Sequence, residues 1–244
     1  MTTLLLINPN TTASITDLVL KHARRFATKG ITLRAVTGGF GPRYIASRIG
    51  YAIAGHAALD ALANDKGRKD AVVLACFGDP GLAALKEASP VPVVGMAEAS
   101  ILQAAALGRR FSIVTGGERW KPMLEEFVAV QGLASRLASV RTVAPTGADI
   151  ARNPKAAMAL LAKACQACAR EDGADAVILG GAGLAGLAVK LRPVVDVPLL
   201  DGVACAISMA EALARQKPTK SGTLPAPVES IGLSKGLAKL IGSP

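Results

Sequence analysis

Four cysteines stand among the 244 residues, and Cys76 is the one placed where a thiol could do chemistry. It follows the apolar run Ala71-Val72-Val73-Leu74-Ala75 and precedes the Gly-rich turn Phe77-Gly78-Asp79-Pro80-Gly81, which leads into a helix. Turn amides and the positive end of a helix dipole both favour the anionic sulfur, so a thiolate acting as acid or base is one reading. A buried, inert cysteine at a strand end is the other. Cys165 and Cys168 form a CxxC inside the Ala-rich run AMALLAKACQACAR, with no strand-to-helix turn ahead of it, and core packing is the better account. Cys205 follows Asp201-Gly202 at the start of the last crossover helix and is also assigned to packing. His56 falls within a helical stretch, and Asp79, beside Pro80, is expected to cap the helix that follows rather than to serve as a base.

Three further loops carry small or polar residues at strand ends. Asn8-Pro9-Asn10-Thr11-Thr12 offers short side chains and helix-terminal amides suited to a carbonyl, carboxylate or ureido group, Asn10 foremost; an Asx turn with a cap is the alternative. Thr115-Gly116-Gly117 has the same character, and Gly39 to Arg43, with Pro42, and Gly180 to Gly183, with Ala182, complete a ring of glycine-lined loops. None is followed by the Lys-Ser/Thr of a phosphate loop, and NPNTT replaces the glycines of a dinucleotide fingerprint at the first strand. Two histidines and no paired Cys/His spacing argue against a zinc site.

Short apolar runs alternating with Ala/Leu-rich helical segments place these loops on an α/β scaffold of parallel strands and crossover helices. Strands are expected at Thr3–Asn8, Thr32–Val36, Ala71–Ala75, Val91–Val94, Phe111–Thr115, Val140–Val143, Ala176–Leu179 and Val197–Leu200. Helices are expected near 12–27, 49–64, 81–87, 96–107, 120–130, 148–171, 184–190, 203–214 and 229–240, with Thr11 and Thr12 capping the first. A composition of 51% hydrophobic and 19% charged residues excludes disordered and fibrous classes. No apolar stretch reaches the roughly 20 residues of a bilayer span, and the N-terminus lacks the pattern of a secretory signal. The expectation is a cytoplasmic protein with reduced thiols and no membrane partner. The net charge of +10 is dispersed, and one Trp and two Tyr give little stacking surface. Attraction of anionic metabolites therefore explains the charge better than nucleic-acid binding does.

The chain also repeats itself. DAVVLACFGDPGLA from Asp70 matches DAVILGGAGLAGLA from Asp175 at eight of fourteen positions, and VPVVG from Val91 matches VPLLD from Val197. Two structurally equivalent Rossmann-like halves are expected, residues 1–97 and 98–213, with the site in the cleft between them. Residues 214–244 would then pack back on the first half. Open parallel sheets bind ligands at the carboxyl ends of their strands, so equivalent loops could approach both faces of one carbon.

Together INPNTT, GFGPRYIASRIGYAIAGHAALDAL, ACFGDPGL, VVGMAEAS and SIVTGGERW resemble the Asp/Glu racemase superfamily, and within it the hydantoin and allantoin racemases, over residues 3 to 213. The resemblance implies a racemase without metal or organic cofactor, commonly a symmetric homo-oligomer, acting on a small hydantoin or ureido substrate. It implies one catalytic cysteine from each half, on opposite faces of the acidic carbon. Cys76 matches the first; the second would stand at Gly181, where this sequence reads Leu179-Gly180-Gly181-Ala182-Gly183. The repeat selects the same position, because Gly181 aligns with Cys76. Asn10, Pro42, Gly78, Asp79, Thr115, Gly116, Gly180, Ala182 and Gly183 are the expected substrate contacts. A decarboxylase of substituted malonates using a single thiol, or a silent ligand-binding homologue, are the competing readings.

Overall fold

The computed structural model describes residues 1–143, 154–218 and 227–242 and divides into two compact units. Unit 1 comprises Met1–Ala75, Asp79–Gly95 and Ile207–Pro244; unit 2 comprises Cys76–Gly78 and Met96–Ala206. In unit 1, strands β1 (Thr2–Asn8), β2 (Ile31–Thr37), β3 (Ala71–Leu74) and β4 (Val93–Gly95) form a parallel sheet of order β2-β1-β3-β4. In unit 2, β5 (Phe111–Gly116), β6 (Leu137–Val143), β7 (Ala176–Gly180) and β8 (Leu199–Asp201) form a second parallel sheet of order β6-β5-β7-β8. The fold is α/β, built from two four-stranded parallel sheets.

Central strands of parallel sheets bury both faces, so they read as continuous apolar runs. Leu4 to Ile7 of β1 and Ala176 to Leu179 of β7 are all at most 2% exposed. Helices α1 (Ala13–Phe26), α2 (Arg48–Asn64) and α3 (Leu82–Ala88) accompany the first sheet, with Ala58 and Leu62 of α2 and Leu85 of α3 in one core with Leu5, Val72 and Leu74. Helices α4 (Met96–Leu107), α5 (Trp120–Val130), α6 (Pro154–Arg170) and α7 (Ala188–Leu191) belong to the second unit. There Leu161, Cys165 and Cys168 of α6 pack with Val114, Val177 and Leu179. Helix α8 (Gly202–Gln216) follows β8, and α9 (Lys235–Leu240) lies against α2, where Asn64 Nδ2 donates to Ser234 Oγ at 3.2 Å.

The duplication is carried by hydrogen bonds as well as letters. Asp70 accepts from the Thr3 N–H at 2.7 Å while its own N–H donates to the Thr3 carbonyl at 2.7 Å. Asp175 accepts from the Arg110 N–H at 2.9 Å and donates to the Arg110 carbonyl at 2.8 Å. Sheet register agrees, pairing Leu4 with Ala71 in one unit and Phe111 with Ala176 in the other. Asn8 is thereby the counterpart of Thr115, and Cys76 of Gly181.

Several expected boundaries shift. The helix expected near 184–190 is instead a 3-10 turn at Ala182–Leu184 followed by α7. Gly186 interrupts it at φ +77°, where its N–H donates to Asp201 Oδ2 at 2.6 Å. The strands expected from Val91 and Val197 begin at Val93 and Leu199, after Pro92 and Pro198, whose carbonyls nevertheless accept from Val72 and Val177. The helix expected near 229–240 is confined to α9, with Ser234 capping it by accepting from the Leu237 N–H at 3.2 Å. Residues 148–153 of the expected helix before β7 and 219–226 of the C-terminal segment lie outside the described residues.

The outer strand β6 is held by a carboxylate. Asp172 accepts from Arg141 Nε and Nη2, both at 2.7 Å, and from Ser139 Oγ at 2.5 Å. The Arg141 guanidinium holds the Asp172 carboxyl below the ordinary carboxylate range, against a smaller opposing effect of burial. Because the folded chain binds this proton less readily than the unfolded chain, the stabilisation is complete above the ordinary carboxylate pKa and fades as pH falls through the lowered folded value. Asp172→Asn is expected to cost about 1 kcal/mol at pH 7. In urea melts, its gap from the native chain should close at acid pH; a gap that stayed constant with pH would contradict this assignment.

Candidate functional site

Cys76 leaves β3 two residues after the strand ends and is 9% exposed, the most accessible of the four thiols, none of which is in a disulfide. The residue after it explains where it sits. Phe77 is 4% exposed, and its ring lies across the backbone of Gly180, where any Cβ would overlap ring carbons, and beside Gly202, where a Cβ would stand 3.4 Å from Cδ2. Gly78, at φ +112°, passes so close to Trp120 that a Cβ there would meet the indole Cζ3 at 2.5 Å. The chain at 76–78 is thus seated on the end of β7, the start of α8 and the start of α5. Cys76 and Gly181 are consequently the chain neighbours of two residues in contact, Phe77 and Gly180.

Gly181 is half-buried and adopts φ +124°, a conformation L residues rarely take. Space itself is available, since a Cβ would meet nothing closer than Thr115 Oγ1 at 3.7 Å. Thr115 is 4% exposed at the end of β5, while Gly116, Ala182 and Gly183 are half-buried around it. Cys76, Gly78, Thr115, Gly116, Gly180, Gly181, Ala182 and Gly183 therefore all fall in unit 2, and Asn10, Pro42 and Asp79 in unit 1.

In unit 1 the loop after β1 is tied from several sides. The Thr11 N–H donates to the Pro42 carbonyl at 3.2 Å and Thr12 Oγ1 to the Arg43 carbonyl at 2.7 Å. The expected cap of α1 is corrected accordingly: Thr12 is the N-cap residue, but its hydroxyl serves Arg43 and not the helix amides. Asn10 Oδ1 accepts from the Thr12 N–H at 2.8 Å and from Asn8 Nδ2 at 3.0 Å. Asp79 is also corrected. The N-cap of α3 is Gly81, and it is the Asp79 main-chain carbonyl that accepts from the Leu82 N–H at 3.1 Å. The Asp79 side chain, 2% exposed, lies instead against Gly95 at the end of β4, with its own backbone at φ +54°. Since α3 begins six residues beyond Cys76, the amides near the sulfur are those of the turn.

The remaining cysteines are structural. Cys165 and Cys168 are fully buried in the unit 2 core, and burial pushes the Cys165 thiol up to about 12 and raises that of Cys168. Burial likewise pushes Cys205 up to about 12, which makes its thiolate inaccessible near neutral pH. His56 is exposed, its ring edge-on to Phe40 at 4.8 Å. Among the described residues no cluster of three His, Cys, Asp or Glu side chains is placed to hold a metal ion, and no helix is long and apolar enough to cross a membrane. Asp201 went unnoticed in the sequence as a cap: its Oδ1 accepts from the Val203 and Ala204 N–H groups at the start of α8. The packing roles of Phe77 and Trp120 were also missed, although both lie in motifs of the resemblance.

Two parallel sheets of identical strand order, with a thiol at the exit of one third strand and glycine at its counterpart, define a duplicated α/β protein. The sequence pattern of the Asp/Glu/Hydantoin racemase family matches residues 4–210, and the chain belongs to that family of isomerases. It is 36% identical over 210 residues to a hydantoin racemase of Pseudomonas sp. strain NS671, covering 85% of this chain and 84% of that one. The crystal structure of an allantoin racemase from Pseudomonas fluorescens superposes with a TM-score of 0.90 at 34% identity, covering 94% of this chain and 100% of that one. An arylmalonate decarboxylase, with a TM-score of 0.62 at 18% identity over 98% of this chain and 99% of that one, shares the fold.

Differences in burial among the thiols predict an order of alkylation. With iodoacetamide at pH 8, Cys76 should be carbamidomethylated first, while Cys165, Cys168 and Cys205 react only after unfolding. Peptide mass spectrometry reads this directly, and equal labelling of all four in the native protein would contradict the burial assigned to them.

Proposed function

We propose that this chain interconverts the enantiomers of 5-substituted hydantoins or of allantoin without a cofactor, with Cys76 as the proton-exchanging group. The observation that carries the reading is the seating of Phe77 on Gly180, which supports a Cys76 thiol beside position 181, its partner in the repeat. The similarity to hydantoin and allantoin racemases supports the substrate class. In the forward step the Cys76 thiolate takes the proton from the carbon next to a carbonyl, becoming a thiol, while negative charge moves onto the carbonyl oxygen. Donors already in place before that charge develops lower the barrier most. Amides at Gly78, Gly180 and Gly183, the Thr115 hydroxyl and the Asn10 side chain are assigned that part, and Pro42, Asp79, Gly116 and Ala182 shape the site around them.

The opposite face has no thiol. Reprotonation there is assigned to a solvent water bonded to Thr115 Oγ1 beside Gly181, the water giving its proton to carbon and recovering one from bulk solvent, while the Cys76 thiol returns its proton to solvent and is a thiolate again. Losing a positioned acid typically costs a factor of about 10² to 10⁴, so racemisation is expected to lag behind exchange on the Cys76 face. A second reading is single-thiol chemistry at Cys76, one-sided protonation after loss of CO2 from a substituted malonate. In a catalytically silent homologue, by contrast, hydantoin would raise the melting temperature without isotope exchange.

One enantiomer of a 5-substituted hydantoin incubated in D2O separates these outcomes. Deuterium incorporation should fall at least 100-fold in Cys76→Ser. Gly181→Cys should raise racemisation relative to exchange, at a stability cost of about 1–2 kcal/mol from a side chain at positive φ. Exchange that survives unchanged in Cys76→Ser would refute the proposal, and CO2 release from a malonate without racemisation would establish the second reading.

A further inference from the structure

The side chain that holds Asn10 is that of Asn8. Asn8, 1% exposed at the end of β1, makes more side-chain hydrogen bonds than an Asx turn requires. Its Oδ1 accepts from the Asn10 N–H at 3.2 Å, and its Nδ2 lies 3.0 Å from Asn10 Oδ1, 3.0 Å from Thr16 Oγ1 and 3.3 Å from the Thr12 carbonyl. Main-chain groups fix both amides. An N–H can only donate, so the Asn8 atom facing the Asn10 N–H is oxygen, and the Asn10 atom facing the Thr12 N–H at 2.8 Å is oxygen as well. Thr16 Oγ1 is in turn 2.7 Å from Thr37 Oγ1, and the Gly38 N–H donates to the Asn8 carbonyl at 2.8 Å, so the arrangement is anchored in β2.

With both lone pairs of Asn10 Oδ1 engaged, what this side chain has left to offer a ligand is its pair of Nδ2 hydrogens. We propose that Asn8 is a positioning residue that locks the Asn10 amide with its donor side presented, so that the loop after β1 accepts only a ligand's carbonyl or carboxylate oxygen. The inference rests on the proposed use of Asn10 toward substrate. It adds what sets the polarity of that contact and therefore which ligand groups the loop admits: acceptor oxygens, not N–H or O–H donors.

Asn8→Asp tests it with almost no change in shape. A carboxylate still accepts from the Asn10 N–H but repels Asn10 Oδ1, so the Asn10 side chain is expected to swing out of the orientation that Asn8 and the Thr12 N–H together hold. In protein carrying 15N-labelled Asn side chains, the Asn10 resonance, assigned by its loss in Asn10→Ala, should move in Asn8→Asp without any ligand. KM for 5-benzylhydantoin should rise at least tenfold while kcat falls less. Should Asn8→Asp not fold, Asn10→Asp retains acceptors for Asn8 and Thr12 while presenting an oxygen outward, and its affinity for the hydantoin should fall at least tenfold. An unmoved Asn10 resonance, or native KM in Asn8→Asp, overturns the inference. Native protein that neither exchanges nor racemises, yet shows the Asn10 resonance shifting with hydantoin and in Asn8→Asp, overturns the proposed reaction alone.

Discussion

The placement of Cys76 depends on one aromatic ring meeting two backbones that have no side chains. Phe77 lies on Gly180 and beside Gly202, and its chain neighbour is the thiol. A packed interior transmits displacement instead of absorbing it, so a ring wedged against two peptide planes fixes the residue before it far better than a solvated turn would. Gly78 against Trp120 completes the seat on the following residue. The Cys76 thiol is therefore positioned by hydrophobic contact made by the residues that follow it.

The loop after β1 is built on the opposite logic. Its geometry comes from directed hydrogen bonds among Asn8, Asn10, Thr12 and Thr16, with the nearby 38–43 segment bound to it through the Gly38 amide and the Pro42 and Arg43 carbonyls. Buried amides are costly unless hydrogen-bonded, and the bonds made here leave a single arrangement of donors and acceptors. Apolar contact sets where the thiol stands; polar contact sets which end of an amide the other loop presents.

Much of this was legible from the letters. The central strands announce themselves because both faces are buried, leaving Leu4 to Ile7 and Ala176 to Leu179 without a polar residue. The duplication was legible because Asp70 and Asp175 each anchor the same pair of main-chain groups at the start of a third strand. The segment 184–190 misled because its Ala, Leu and Lys content favours a helix, while the bond from Gly186 to Asp201 that breaks it comes from a strand fifteen positions later. The role of Asn8 was hidden for a related reason. Its partners reach through Thr16 to Thr37, and no local spacing encodes a network that only the packing of β1, α1 and β2 assembles.

The backbone at Gly181 has settled at φ +124°, a conformation natural to glycine and strained for almost everything else. Any residue other than glycine placed there would carry that strain, so the two halves, alike in strand order, differ in which side chains the exits of their third strands tolerate.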